Sequence, residues 1–146
     1  MISKSYLIEN NEKFLLENNC ILFYGENLGL KRDFKNKLKV LKPKKLSINL
    51  YQDQVLRDIN ILINELSNLS LFEENKIIFI EDASDKILTI LEEIEKKILD
   101  NKVILFANNL DKKSKLRNYF EKSKKLQTVA CYPDNDISLK KILMNK

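Results

Sequence analysis

Short apolar runs alternate along this chain with longer stretches in which apolar residues recur every three or four positions. The short runs cover residues 20–24, 46–50, 76–80, 103–106 and 128–132. They are nearly continuous in apolar character and bounded by Gly, Asn, Asp or Pro, the pattern of strands covered on both faces. Between them, residues 28–41 place Leu30, Phe34, Leu38 and Leu41 on one stripe, and residues 53–66 do the same with Val55, Ile59, Leu62, Ile63 and Leu66. Residues 84–99 carry Ile87, Leu91, Ile94 and Ile98 at helical spacing, and 113–121 and 137–144 are shorter examples. Asp82 or Ser84 is placed to cap the third helix and Asp111 the fourth. Strand and helix alternating about five times predict a three-layer α/β/α domain around a parallel sheet of about five strands. Residues 5–18 are expected to add a helix or flap. With only Gly25, Gly29, Pro43 and Pro133 there is no linker signal and no repeat, so residues 1–146 read as a single domain.

Composition narrows the chemistry. The chain has no histidine, which excludes His-based triads and His general bases. Its two cysteines, Cys20 and Cys131, leave little room for a zinc site, and no metal site is expected. Both thiols suit burial as small hydrophobes in a reduced cytoplasm. No apolar run approaches the roughly 18 residues of a membrane span, and the N-terminus lacks the pattern of a secretory signal. The net charge is +5, but 23 of the 26 basic residues are lysine, beside 17 Ile and 17 Asn. That skew matches AT-rich codon usage, whereas contacts with phosphates and bases favour arginine, of which there are three.

Ligands of parallel sheets lie beyond the carboxyl ends of the strands, which directs attention to residues 25–31, 81–85 and 107–112. The first of these is Gly25-Glu26-Asn27-Leu28-Gly29-Leu30-Lys31-Arg32, between a strand and a helix. It has the setting of a phosphate loop, G-x-x-x-x-G-K-[ST], with Gly25 and Lys31 at the right spacing. Leu30 replaces the second glycine, and its side chain obstructs the close backbone approach that lets amides cradle phosphates. Arg32 replaces the hydroxyl residue and brings positive charge to where Mg²⁺ would sit. Glu81 and Asp82 close the third strand as an acidic strand end, in the reverse order of that found in P-loop NTPases; the simpler reading of them is a solvated strand end and helix cap. The loop reads as the remnant of a nucleotide site, and no cofactor is expected.

Ahead of the third strand stands Asn68-Leu69-Ser70-Leu71-Phe72. It fits the Q-x-x-L-F form of short peptides that bacterial sliding clamps accept, with Asn in place of Gln. A Leu-Phe pair on a surface turn marks a partner site; the same pair also suits packing beneath the sheet.

Taken together, these features resemble the N-terminal domain of the delta-subunit family of the bacterial DNA polymerase III clamp loader. The resemblance runs through Leu22-Phe23-Tyr24-Gly25-Glu26-Asn27, then Ser70-Leu71-Phe72 with Lys76-Ile77-Ile78-Phe79-Ile80. It continues through Leu105-Phe106-Ala107 and Leu110-Asp111-Lys112-Lys113-Ser114-Lys115-Leu116, where the family reads L-D-K-[KR]-S-K-L. It implies a P-loop NTPase (AAA+)-like fold with a degenerate nucleotide site, in a subunit that springs the beta sliding clamp open for loading onto primed DNA. ATP is then hydrolysed by other subunits, and this chain has no catalysis of its own within the polymerase (nucleotidyltransferase) holoenzyme. By residue matching, Leu71 and Phe72 form the wedge into the clamp, with Leu69 and Ser70 beside it and Asn68 at the amide position. The helical lid and C-terminal collar of that family, which join the other loader subunits, are expected to lie outside this chain.

Two other classes fit parts of the sequence. One is an active P-loop NTPase or kinase using Lys31, Glu81 and Asp82. The other is a nucleic-acid-binding module using Lys112, Lys113, Lys115, Lys122, Lys124 and Lys125, which also read as a solvated helix face.

Overall fold

The computed structural model describes residues 2–4, 12–41, 46–67, 76–94 and 102–131. In chain order the elements are β1 (Ile2–Lys4), α1 (Glu12–Glu17), β2 (Cys20–Tyr24), α2 (Leu28–Leu41), β3 (Leu46–Tyr51), α3 (Gln52–Arg57) and α4 (Asn60–Ser67). There follow β4 (Lys76–Ala83), a 3-10 turn (Asp85–Ile87), α5 (Leu88–Ile94), β5 (Lys102–Ala107), α6 (Lys115–Lys122) and β6 (Gln127–Ala130). The six strands form one sheet in the order β1-β6-β2-β5-β4-β3, and every pairing is parallel.

Strand alternation divides the apolar residues into two cores. Ile21, Phe23, Ile77, Phe79, Ile104, Phe106 and Val129 face one side, where Leu15 of α1 and Phe34 and Leu38 of α2 cover them. Leu22, Tyr24, Ile78, Ile80, Val103 and Leu105 face the other, beneath Val55 of α3, Leu62 and Leu66 of α4, Leu91 of α5 and Phe120 of α6. The three-layer α/β/α arrangement follows. Three stacked aromatic pairs, Phe23–Phe34, Phe23–Phe106 and Phe79–Phe106, fill the α2 side with centroids 4.9, 5.4 and 6.0 Å apart.

Several expected boundaries shift. The sheet has six strands, because Ile2–Lys4 pairs with β6; three residues are too short for a periodicity signal. The single helix expected over 53–66 is two, broken at Asp58, whose extended backbone (φ −149°, ψ 98°) ends α3, and whose carboxylate accepts from the Asn60 N–H at 3.0 Å to restart the chain as α4. β4 runs on through Ala83, so Glu81 and Asp82 lie inside a strand and not after it. Ser84, not Asp82, caps the turn that follows, and Ser114, not Asp111, caps α6. The parts of the expected helices over 84–99 and 137–144 beyond Ile94, and Tyr132, lie outside the described residues.

Two buried polar side chains fasten the layers. Lys102, almost wholly buried at the start of β5, donates through Nζ to the Asn18 carbonyl at 2.6 Å and the Leu16 carbonyl at 3.3 Å. It thereby satisfies carbonyls at the C-terminal end of α1. Gln52 opens α3 and clasps the end of β4: its Nε2 donates to Ser84 Oγ at 2.9 Å, and its Oε1 accepts from the Ser84 N–H at 2.7 Å. Cys20 and Cys131 are both buried, in different cores, and are not joined in a disulfide.

One polar atom breaks the pattern. Thr128 Oγ1 is fully buried on β6 and has no hydrogen-bond partner among the described residues. Because an unsatisfied buried hydroxyl penalises the folded state, Thr128→Val is expected to leave stability unchanged or raise it by up to about 1 kcal/mol. Urea denaturation compares the two midpoints, and clear destabilisation would show that the hydroxyl is satisfied.

Candidate functional site

The turn between β2 and α2 is pinned from two sides. The Gly25 N–H donates to the Asn108 carbonyl, and the Asn27 N–H donates to the Cys131 carbonyl, both at 3.1 Å. The Cys131 N–H returns to the Tyr24 carbonyl. Gly25 has φ +124°, and a Cβ built there would lie 1.9 Å from the Cys131 carbonyl oxygen. Only glycine allows this backbone crossing. Asn27 then caps the helix, its Oδ1 accepting from the Leu30 N–H at 3.0 Å.

Helix α2 therefore begins at Leu28, inside the eight-residue stretch that has phosphate-loop spacing. Gly29 and Leu30 are helical, and Leu30 packs against the α2-side core. Two amides of the intervening turn, those of Gly25 and Asn27, are already bonded to protein carbonyls. Lys31 is 6% exposed, and its Nζ donates to the Ala107 carbonyl at the end of β5, 2.9 Å away. Burial pushes its ammonium below the ordinary lysine pKa, against the opposing influence of Cys131, Glu81 and Asp82.

Beside this turn, α2 and the carboxyl ends of β3, β4 and β5 enclose a cleft of about 310 Å³. β2 and β5 are neighbours whose following helices, α2 and α6, lie on opposite faces. The cleft thus opens where adjacent connections diverge, the usual ligand position in a parallel sheet. Lys31, Arg32 and Lys35 line it from α2, Tyr51 from β3, Glu81 and Asp82 from β4, and Asn108 from the end of β5.

Glu81 faces the cleft by regular alternation with Ile77 and Phe79, whereas Asp82 reaches it by a β-bulge. Ile80 pairs with Leu105 but Ala83 pairs with Ala107, so β4 carries one extra residue there. Ala83 then faces the same core as Ile78 and Ile80, and Asp82, which regular alternation would bury there, is exposed with φ +57°. Glu81 meets Lys35 at 2.7 Å; Lys35 also bonds Asn49 and lies over the Phe79 ring, 5.1 Å from its centroid. Arg32, Asp82 and Asn108 line this cleft at exposed positions.

Sequence reasoning found Gly25, Lys31, Arg32, Glu81 and Asp82 but missed Lys35, Tyr51 and Asn108. Lys35 had a signal, one helical turn beyond Lys31 on the same side. Asn108 lies in the 107–112 loop marked by its place after a strand, though nothing singled out that residue, and Tyr51 had no signal, since only sheet pairing brings it to α2. The Asn68-Leu69-Ser70-Leu71-Phe72 segment lies outside the described residues.

The Leu110–Leu116 stretch builds a helix start. Asp111 Oδ1 accepts from the Lys113 N–H at 2.8 Å, and the Ser114 side chain caps α6 by accepting from the Arg117 N–H at 3.2 Å. Asp85, from the turn after β4, accepts from Ser114 Oγ at 2.6 Å and from the Leu116 N–H at 3.1 Å. Arg117 ties the far side, donating to the Leu110 carbonyl at 2.9 Å and to Glu121 at 2.7 Å, with its guanidinium 5.0 Å from the Tyr24 ring centroid. Lys112, Lys113, Lys115, Lys122, Lys124 and Lys125 are all exposed around α6.

Among the described residues no cluster of three or more Cys, Asp or Glu could hold a metal ion, and no helix is long and apolar enough to cross a membrane. No protein-family model matches the chain, and no curated protein matches it significantly.

Two predictions follow from these geometries. Gly25→Ala drives a Cβ into the Cys131 carbonyl and is expected to cost about 3 kcal/mol or more, read by chemical denaturation. The Ser114 hydroxyl, with the Leu116 and Lys115 amides, holds the Asp85 carboxyl below its usual value of 3.8. Its stabilising contribution is complete above that value and disappears as pH falls through the lower folded-state value. The stability gap between wild type and Asp85→Asn should therefore be constant near neutrality and close below about pH 4. A gap that persists unchanged to pH 2 would dissociate the carboxylate from the cap.

Proposed function

We propose that this chain is the clamp-contacting domain of a delta-type clamp-loader subunit, an AAA+-like module that opens a ring-shaped sliding clamp without hydrolysing ATP. The observation that carries the reading is the combination of sequence marks with the β2–α2 turn. Leu22–Asn27, Ser70-Leu71-Phe72 and Leu110–Leu116 resemble the family. The turn has phosphate-loop spacing, yet α2 starts at Leu28, and Lys31 is bonded to the Ala107 carbonyl. A loop so shortened by helix offers few free amides to a triphosphate, and Arg32 offers no oxygen to Mg²⁺. This argues against an active NTPase or kinase built on Lys31, Glu81 and Asp82.

In this reading Leu71 and Phe72 enter an apolar pocket on the clamp, with Asn68, Leu69 and Ser70 beside them. Opening needs no chemistry in this chain. A ligand shifts an equilibrium by binding one state better than the other, so a wedge that fits the distorted clamp edge better than the closed one favours the open ring. The basic charge assists encounter with an acidic clamp. Primer-template DNA is the second partner within the assembled cytoplasmic loader, and the six exposed lysines around α6 form the surface suited to its phosphates. In that family, contacts with the other loader subunits belong mainly to the helical lid and C-terminal collar.

Titrating the chain against the sliding clamp of its own organism tests this directly. Leu71→Ala/Phe72→Ala should weaken binding by at least about 2 kcal/mol, roughly thirtyfold, as a buried hot-spot pair does. A folded wild-type chain that ignores the clamp sinks the assignment.

A further inference from the structure

The cleft beside α2 has its own charge logic, independent of the clamp. Three cations, Lys31, Arg32 and Lys35, face two carboxylates, Glu81 and Asp82, leaving a net positive charge of one. The carboxylates are not equivalent. Glu81 is consumed by Lys35 at 2.7 Å, whereas Asp82 pairs with no described cation.

Lys31 is the unusual member. The residue is 6% exposed, and its ammonium carries three donors and makes one described hydrogen bond, to the Ala107 carbonyl. No described carboxylate lies within 4.0 Å of it. A buried charge is ordinarily paired, because desolvation without compensation is unfavourable by several kcal/mol or more. Arg32 and Asn108 line the same cleft as Lys31, and both are exposed.

We infer that this cleft binds a tetrahedral oxyanion of the phosphate class, held by Lys31, Arg32 and the Asn108 amide without a divalent cation. Arg32 occupies the helix position where a phosphate loop carries a hydroxyl for Mg²⁺. A fixed guanidinium there supplies the positive charge in place of the metal, in a fork that matches two phosphate oxygens. The remaining two donors of Lys31 complete the charge-assisted set. With α2 beginning at Leu28, there is loop for one oxyanion and not for a wrapped triphosphate. Asp82, on its bulge, opposes the anion and sets the affinity low.

The test is calorimetric titration of the full 146-residue chain with sodium phosphate in EDTA, against sodium chloride of equal ionic strength. Sodium phosphate should bind saturably in the absence of Mg²⁺, and ATP in EDTA should bind no more tightly. Arg32→Ala, at an exposed position, should weaken phosphate at least about tenfold. Asp82→Asn should strengthen it several-fold, and Asn tolerates the left-handed backbone found there. Opposite responses of the two variants separate binding from a change in folding. Three results overturn the inference: no heat beyond the chloride control, equal affinity in wild type and Arg32→Ala, or binding of ATP alone that requires Mg²⁺. None of these bears on the clamp titration, so the two readings fail separately.

Discussion

The close crossing of Gly25 over the Cys131 carbonyl governs how the carboxyl edge of the sheet is built. A side chain at that point would overlap the oxygen at 1.9 Å. Because the crossing is tight, the turn can donate to both neighbours of β2, to Asn108 beyond β5 and to Cys131 beyond β6. Asn27 is then placed to cap α2 at once. The helix start, the direction of Lys31 and the position of the cleft all descend from that short connection.

Polar groups in this fold are spent at junctions between layers. Lys102 closes α1, Gln52 and Ser84 join α3 to β4, and Asp85 with Ser114 joins the turn after β4 to α6. In each case a side chain satisfies a helix terminus or strand end that packing has removed from water, which is how buried polar groups are tolerated. Thr128 is the exception that no described partner explains. The Leu110–Leu116 stretch, a mark of the family resemblance, is in this light first a device for starting α6, and the lysines interspersed in it are exposed beside that device.

The cleft combines two features with different physical origins. The topology places it, since neighbouring strands β2 and β5 send their helices to opposite faces. The bulge in β4 adds a second acid to Glu81 by displacing Asp82 from the core face and letting Ala83 take that place.

The apolar pattern by itself determined the sheet and the helix stripe of residues 28–41, because burial on both faces demands continuous apolar strands and burial on one demands helical spacing. It also identified Gly25, Lys31 and Arg32 through their spacing, and the absence of histidine settled which catalysts are impossible. It did not show the break at Asp58, because Val55, Ile59 and Leu62 keep helical spacing across it. Nor did it show the strand at Ile2–Lys4, whose pairing with Thr128–Ala130 spans almost the whole chain. Only tertiary structure decided that Asp82 would leave the core, that Lys31 would turn to Ala107, and that Tyr51 and Asn108 would meet α2 around one cleft. Those outcomes depend on which strands become neighbours, and neighbours in a parallel sheet are distant in sequence, beyond the reach of any local pattern.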